Sequence, residues 1–498
     1  MIGPHNGDAQ LKQAVLQVKQ SLLQSARRHL AVAAATALRN SDPVGLPGLP
    51  SPQSDDAEDK LHAAQRALSA AWSNLGELET LRGDKDASIA AYRKTLEISP
   101  DDVTAHAQLA SLLESRHDLA EAKAHAERAL QADPANMAAG TALARILMRE
   151  ERFADAERAA LPAANASQAI VEERALAWAI VGDARDRLDR TGAAFEAFTQ
   201  ANVLMRRRYP DMQQMSHPAH PANVRVLTQF LERAPAATWQ APAAFATPAP
   251  AFLIGFPRSG TTLLEQVLSS HSKIWSLGES EHLFEAMSVV LKDGDLLDRI
   301  AALTPAEIET VREAYQRFVL ADNPTSGGRL IVDKHPLHIV LLPLINKFFP
   351  DAKIIFAQRD PRDVVLSCYQ QCFGMNVATA QFLELERAAG YYDAVMEMMI
   401  TCRGKLNLDL HQVEYRDVVA NLETEARRLA AFLGFSFEPA MLRYDETARE
   451  RTIATASARQ VIDPIYDRSV GRWRRYAREL APVLPILNKW ARRLGYDD

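Results

Sequence analysis

Cysteine is nearly missing: Cys368, Cys372 and Cys402 are the three in 498 residues. Three thiols cannot staple a secreted fold of this size, and their spacing fits no metal-ligand set. Cys368 and Cys372 fall four apart on a predicted helix, as small buried hydrophobes do. No run of 18 apolar residues occurs, so no membrane span is expected. The opening residues, MIGPHNGDAQLKQ, lack the basic stretch and apolar core of a secretory signal, and the expected compartment is the cytoplasm. Positive charge is not in excess either. Fifty-seven Lys and Arg against 63 Asp and Glu give a net charge of −6, which argues against a nucleic-acid surface but leaves room for a local basic pocket.

What is present is a globular composition, 47% hydrophobic and 24% charged, in a chain too long for one core. Residues 1–56 read as a helical segment (~8–40) closed by the linker SDPVGLPGLPSPQS. Residues 57–209 repeat. Trp72, Leu75, Gly76, Tyr92 and Pro100 recur 34 residues on as His106, Leu109, Ala110, Ala126 and Pro134, then as Gly140, Leu143, Ala144 and Ala160. A fourth copy, offset by four residues, reads Trp178, Gly182, Ala194, Phe198 and Ala201. This is the tetratricopeptide pattern, in which small residues let paired helices approach and each pair buries its neighbour's apolar face. Residues 210–249 are rich in Pro and Ala around a short helix near Val224–Arg233 and read as a linker. From residue 250 to 498, short apolar runs alternate with amphipathic stretches, the pattern of a parallel sheet flanked by helices. The clearest strands are Ala251–Phe256, Arg329–Val332, Lys353–Ala357 and Asp409–Glu414. The predicted fold is thus an all-α repeat array followed by an α/β domain of the phosphate-loop type.

The segment AFLIGFPRSGTTLLEQVL is a strand, a tight loop and a helix. Gly255 and Gly260 have phosphate-loop spacing, and the hydroxyls of Thr261 and Thr262 follow. A nucleoside triphosphatase would place lysine at 261 and hold magnesium next to it. Here backbone N–H groups at a helix N-terminus can still cradle an anion, and Arg258 supplies the cation. A sulfuryl group carries less negative charge than a terminal phosphoryl group, so protein cations can suffice and no metal is expected. In KIIFAQRDPRDVVLSCYQQ, Arg359 ends an apolar strand and Ser367 lies on the helix that Asp360 and Pro361 begin, a second anion clamp. A third strand ends in Asp333-Lys334-His335-Pro336.

Pro257-Arg258-Ser259-Gly260-Thr261-Thr262 resembles the 5′-phosphosulfate loop of sulfotransferases, most closely the protein-tyrosine type. Arg359 and Ser367 are similar in residues and spacing to that family's 3′-phosphate element. The resemblance spans residues ~250–498, and the tandem with repeats is similar to the tetratricopeptide-repeat sulfotransferases. It implies 3′-phosphoadenosine-5′-phosphosulfate as donor, bound by Arg258, Ser259, Gly260, Thr261, Thr262, Arg359, Ser367 and Tyr415. It also implies that Lys334, Arg258 and Ser469 stabilise charge on the leaving group, with Gly471-Arg472-Trp473 closing over the nucleotide. The family's Gly-Glu-Glu-Thr-Arg stretch is here Gly278-Glu279-Ser280-Glu281-His282, which leaves the base open between Glu279 and Glu281, with His335 a third candidate. The expected acceptor is a protein or peptide hydroxyl, a tyrosine side chain first among them, recruited by the repeats. A carbohydrate or small-molecule acceptor, a phosphate-loop kinase and a non-catalytic scaffold are the alternatives.

Overall fold

A computed structural model describes residues 55–167, 170–239, 247–291, 296–450 and 468–496. The predicted helices of residues ~8–40 and the linker at 41–54 lie outside the described residues. The chain divides into two units, residues 2–201 and 202–498.

In the first unit the described helices run in antiparallel pairs: α1 (Asp55–Arg82) with α2 (Lys85–Ile98), α3 (Val103–Ser115) with α4 (Leu119–Ala132), α5 (Met137–Arg149) with α6 (Phe153–Asn165), and α7 (Val171–Arg187) with α8 (Thr191–Arg208). The repeat positions read from sequence are the contact positions. Ala110 and Ala126 pack together with Ala142, and Ala144 packs with Ala160. A Cβ on Gly76 would lie 2.8 Å from the Tyr92 ring, and one on Gly182 would lie 2.6 Å from the Phe198 ring. Helix starts repeat as well: Asp102 accepts a hydrogen bond from the Ala105 N–H at 2.8 Å, and Asn136 accepts one from the Ala139 N–H at 3.1 Å. Within each pair the connecting turn uses one left-handed residue, Gly83, His117, Glu151 and Asp189 in order. The close approach in the fourth pair predicts that Gly182→Ala destabilises the repeat unit by ~1–3 kcal/mol through overpacking. Denaturant unfolding checks this, and trimming the facing ring with Phe198→Leu should recover part of the loss.

The second unit is built on a five-stranded parallel sheet: β1 (Ala251–Gly255), β2 (Ile274–Ser276), β3 (Leu330–Lys334), β4 (Lys353–Gln358) and β5 (Asp409–Glu414), in the order β2-β3-β1-β4-β5. All four ladders are parallel. Four strands match the sequence expectation. The fifth, β2, is three residues long and carries no period that sequence could show. β1 is buried at every position, as a strand covered on both faces requires. One face packs Leu253, Ile355 and Val413 under α10 (Thr261–Ser269) and α14 (Leu422–Leu433). On the other face the Phe252 ring meets Phe349 at 5.7 Å, and Phe256 meets Tyr392 of α13 (Leu385–Lys405) at 5.0 Å.

The Pro/Ala-rich stretch 210–249 contributes structure to this unit. Helix α9 (Pro221–Arg233) buries Val224, Thr228 and Leu231, and Thr228 Oγ1 donates to Met398 Sδ at 3.6 Å. Gln213 Nε2 donates to the Ala380 backbone oxygen at 2.9 Å. The prolines here open a helix, since Pro221 occupies its first turn, where a missing N–H costs nothing. Residues 240–246 lie outside the described set.

Candidate active site

In an open parallel sheet, ligands bind at the carboxyl ends of the strands where the strand order reverses. Here β1 leads to one side, to β2 and β3, and β4 and β5 lie on the other side. The side chains singled out from the sequence sit at these ends.

After β1 the chain turns through Phe256–Gly260, with the Ser259 N–H donating to the Phe256 oxygen at 3.1 Å. Arg258 has φ +69° and Gly260 φ +103°, so two left-handed residues shape the loop before α10 begins. Gly260 is required on two grounds: its φ, and a Cβ that would fall 2.7 Å from the Tyr415 ring. Gly255 has no room for a side chain either, because a Cβ would meet Ser259 Oγ at 2.6 Å. Thr261 and Thr262 are both buried at the helix start.

Arg359, one residue beyond β4, ties this loop to two other segments. Its guanidinium donates to the backbone oxygen of Arg258 at 3.0 Å and to that of Ser469, and it lies 4.9 Å from the centre of the Tyr415 ring. Arg258 Nε donates to Ser367 Oγ at 3.0 Å, on α12 (Pro361–Gln370). Tyr415 and Ser469 share a hydrogen bond of 2.9 Å between their hydroxyls. The structure therefore brings Arg258, Arg359, Ser367, Tyr415 and Ser469 into one cluster. Two of them, Arg359 and Tyr415, line a cavity of about 190 Å³ together with Arg416, Gly471, Arg474 and Tyr496, with Asp360 and Asp363 on the wall. Two polar atoms in this region, Ser259 Oγ and Arg359 Nε, are buried without a hydrogen-bond partner. Buried donors in that state fit an anionic ligand with acceptor oxygens to spare.

Sequence reasoning passed over two residues of this region. The Asp363 carboxylate accepts the N–H groups of Gly471 and Trp473 at 2.7 and 2.8 Å, which holds the 471–473 segment against α12. Burial raises the Asp363 carboxyl above its ordinary value, with the charge of Arg359 opposing that rise. Arg362, fully buried, pairs with Asp360 at 2.9 Å and lies 4.0 Å from the centre of the Trp473 ring. The Asp-Pro-Arg-Asp run reads from sequence as a helix start, and that signal hid a clamp on a segment 110 residues away.

The second cluster lies at the end of β3. Lys334 has no exposed side-chain surface, and its Nζ sits between two carboxylates: Glu279 Oε1 at 2.7 Å and Glu265 Oε2 at 3.2 Å. Glu281 is exposed and stands at the N-terminus of the short helix His282–Ser288. His335 stacks on His338 at 4.5 Å between ring centres, and its Nδ1 is buried without a hydrogen-bond partner. Burial first, then the neighbouring His338, lowers its pKa to about 3, so the ring is neutral at ordinary pH. Of the three candidate bases, Glu279 is the one in contact with Lys334.

Residues 250–439 match the model of the sulfotransferase family, and residues 69–102 match that of the tetratricopeptide repeat. The chain thus carries, in order, a segment that matches a tetratricopeptide repeat and a segment that matches the sulfotransferase family. An uncharacterized protein of Aquifex aeolicus (strain VF5) is 32% identical over 256 residues, covering 49% of this chain and 33% of that protein. A putative protein-tyrosine sulfotransferase of Caenorhabditis briggsae is 25% identical over 259 residues, 49% of this chain and 88% of that protein. Among solved structures, the sulfotransferase domain from the curacin biosynthetic pathway aligns with 50% of this chain and 98% of its own, at 19% identity and a TM-score of 0.37. The match to the Aquifex aeolicus relative thus takes in about a third of that protein's length. Among the described residues, no helix is long and apolar enough to cross a membrane, and no cluster of His, Cys, Asp and Glu has metal-binding form.

Proposed function

We propose that the second unit transfers a sulfuryl group from 3′-phosphoadenosine-5′-phosphosulfate to an acceptor hydroxyl on a protein or peptide, with a tyrosine side chain as the first candidate. One observation carries the reading: two clusters that each present a cation, Arg258–Arg359–Ser367 and Lys334–Glu279, stand at the ends of neighbouring strands, the first beside buried donors without partners. Arg359 and Ser367 would hold the 3′-phosphate. The loop residues Arg258, Ser259, Gly260, Thr261 and Thr262 would hold the 5′-phosphosulfate, and Tyr415 and Ser469 would close the site. Lys334 stabilises the charge that develops on the leaving phosphate oxygen, and Glu279 takes the acceptor's proton. In this step the acceptor oxygen bonds sulfur as the bond from sulfur to the bridging oxygen breaks. Its electron pair leaves on the phosphate beside Lys334, and the proton goes to Glu279.

The repeats are assigned the acceptor. Arrays of this kind present a surface suited to extended peptides, and the phosphate-handling residues all come after Ala251. The names of several relatives, protein-tyrosine sulfotransferases of Gallus gallus and Danio rerio among them, agree with a tyrosine acceptor.

The test is to incubate the full chain with sulfur-labelled donor and either a tyrosine-containing peptide or 4-nitrophenol, with excess chelator present. Transfer of label is expected, undiminished by the chelator. Loss of turnover on chelation, restored by magnesium, would move the assignment to a phosphate-loop kinase.

A further inference from the structure

Glu265 lies on α10, five residues after Gly260, and takes no part in the transfer step described above. Its side chain is 4% exposed, yet it faces an ammonium that is fully buried, Lys334 Nζ, at 3.2 Å. Its other carboxylate oxygen accepts a hydrogen bond from Ser276 Oγ at 2.9 Å. That hydroxyl in turn accepts the Gly278 N–H at 3.3 Å, at the turn that leads to Glu279. Glu265 thus ties four pieces together: the helix after the phosphate loop, the end of β2, the end of β3 and the turn that presents Glu279.

Two carboxylates facing one ammonium leave the cluster with an excess negative charge, and the two are not equivalent. Glu265 and Lys334 are both out of solvent, so parting them would leave an uncompensated buried charge. Glu279 is 37% exposed and can leave its partner for water or for another ligand. We propose that Glu265 is a positioning residue: a fixed counter-ion that holds Lys334 in place while Glu279 acts as its detachable partner. Resting on the sulfuryl-transfer reading, this makes donor binding the event that frees the base. The bridging oxygen of the donor takes over the Lys334 contact that Glu279 makes in the donor-free chain. Excess negative charge then drives Glu279 outward, toward the acceptor hydroxyl. The cluster would thereby discourage proton abstraction before the donor is seated.

The full chain tests this by single-turnover consumption of sulfur-labelled donor, with 4-nitrophenol as acceptor and release of inorganic sulfate to water read in parallel. Glu265→Gln should slow consumption by about 10- to 100-fold, because Lys334 is no longer fixed where the leaving oxygen develops charge. Its affinity for adenosine 3′,5′-bisphosphate, held mainly by the Arg258–Arg359 cluster, should fall in calorimetry by less than the turnover does. A role through Lys334 also predicts that Glu265→Gln adds no further slowing in a Lys334→Ala chain, and that the double variant melts higher than Lys334→Ala alone. Should Glu265→Gln fail to fold, Ser276→Ala removes the hydrogen bond to Glu265 and the one from the Gly278 N–H while keeping the Glu265–Lys334 pair, and should slow turnover in the same direction by less. Wild-type rates in Glu265→Gln, or an equal slowing with Lys334 already gone, overturn the inference alone. A wild-type chain that neither binds the bisphosphate nor consumes donor overturns the reading of the site, and this inference with it.

Discussion

Lys334→Ala is expected to lower turnover by about 10²–10³, the loss typical when one preorganised donor to a developing anion is removed. The same change should cost stability, because Glu265 stays buried with its cation gone, and breaking a buried pair from one side typically costs ~3–5 kcal/mol. Both effects come from one geometric fact, an ammonium with no solvent contact between two carboxylates. Single-turnover kinetics and denaturant unfolding on the full chain measure them separately. A folded Lys334→Ala chain with near wild-type turnover would remove Lys334 from the chemistry.

Arg359→Ala is the second large effect, and it should appear in binding. The guanidinium holds the Arg258 and Ser469 backbone oxygens, faces the Tyr415 ring and leaves its Nε for a ligand. Loss of a buried, hydrogen-bonded charge partner typically costs ~2–5 kcal/mol of binding energy, about 30- to several-thousand-fold in affinity for adenosine 3′,5′-bisphosphate. Arg359→Lys should recover little of it, because a point charge cannot reproduce the planar fork that spans three segments. Calorimetry with the bisphosphate decides, and unchanged affinity in Arg359→Ala would place the nucleotide elsewhere.

Much of this was legible in the sequence because the signals are local. Gly76 facing Tyr92, Gly182 facing Phe198 and the left-handed Gly260 are consequences of short-range spacing, and the strand-loop-helix at 251–269 declares itself within 20 residues. What was missed depends on strand order. Glu265 looks like an ordinary acidic residue on a helix until β2 and β3 bring Ser276 and Lys334 beside it. Asp363 looks like a helix-start acid until the chain returns 110 residues later to offer the Trp473 N–H. In the stretch 210–249 the short helix expected near Val224–Arg233 is present as Pro221–Arg233, whereas the burial of its apolar side could not be read from a segment so rich in Pro and Ala. The base remained open in sequence because Glu279 and Glu281 are two positions apart in an altered stretch and His335 directly follows Lys334, so spacing ranked none of them. Contact with Lys334 now separates Glu279 from Glu281 and His335.

The left-handed turn residues of the repeats bear on how such an array can change length. Gly83, His117, Glu151 and Asp189 stand 34, 34 and 38 positions apart, each at the same place in its helix pair and each with φ between 56° and 80°. A cut at one of these residues rejoined at another leaves the backbone conformation of the turn unaltered, so a whole repeat can be lost or duplicated without a new loop having to be invented. The apolar faces on either side of such a join are already built to meet a neighbour of the same kind. Recombination inside the repeat region can therefore lengthen or shorten the array in steps of one helix pair, while the sequence after Ala251 stays untouched.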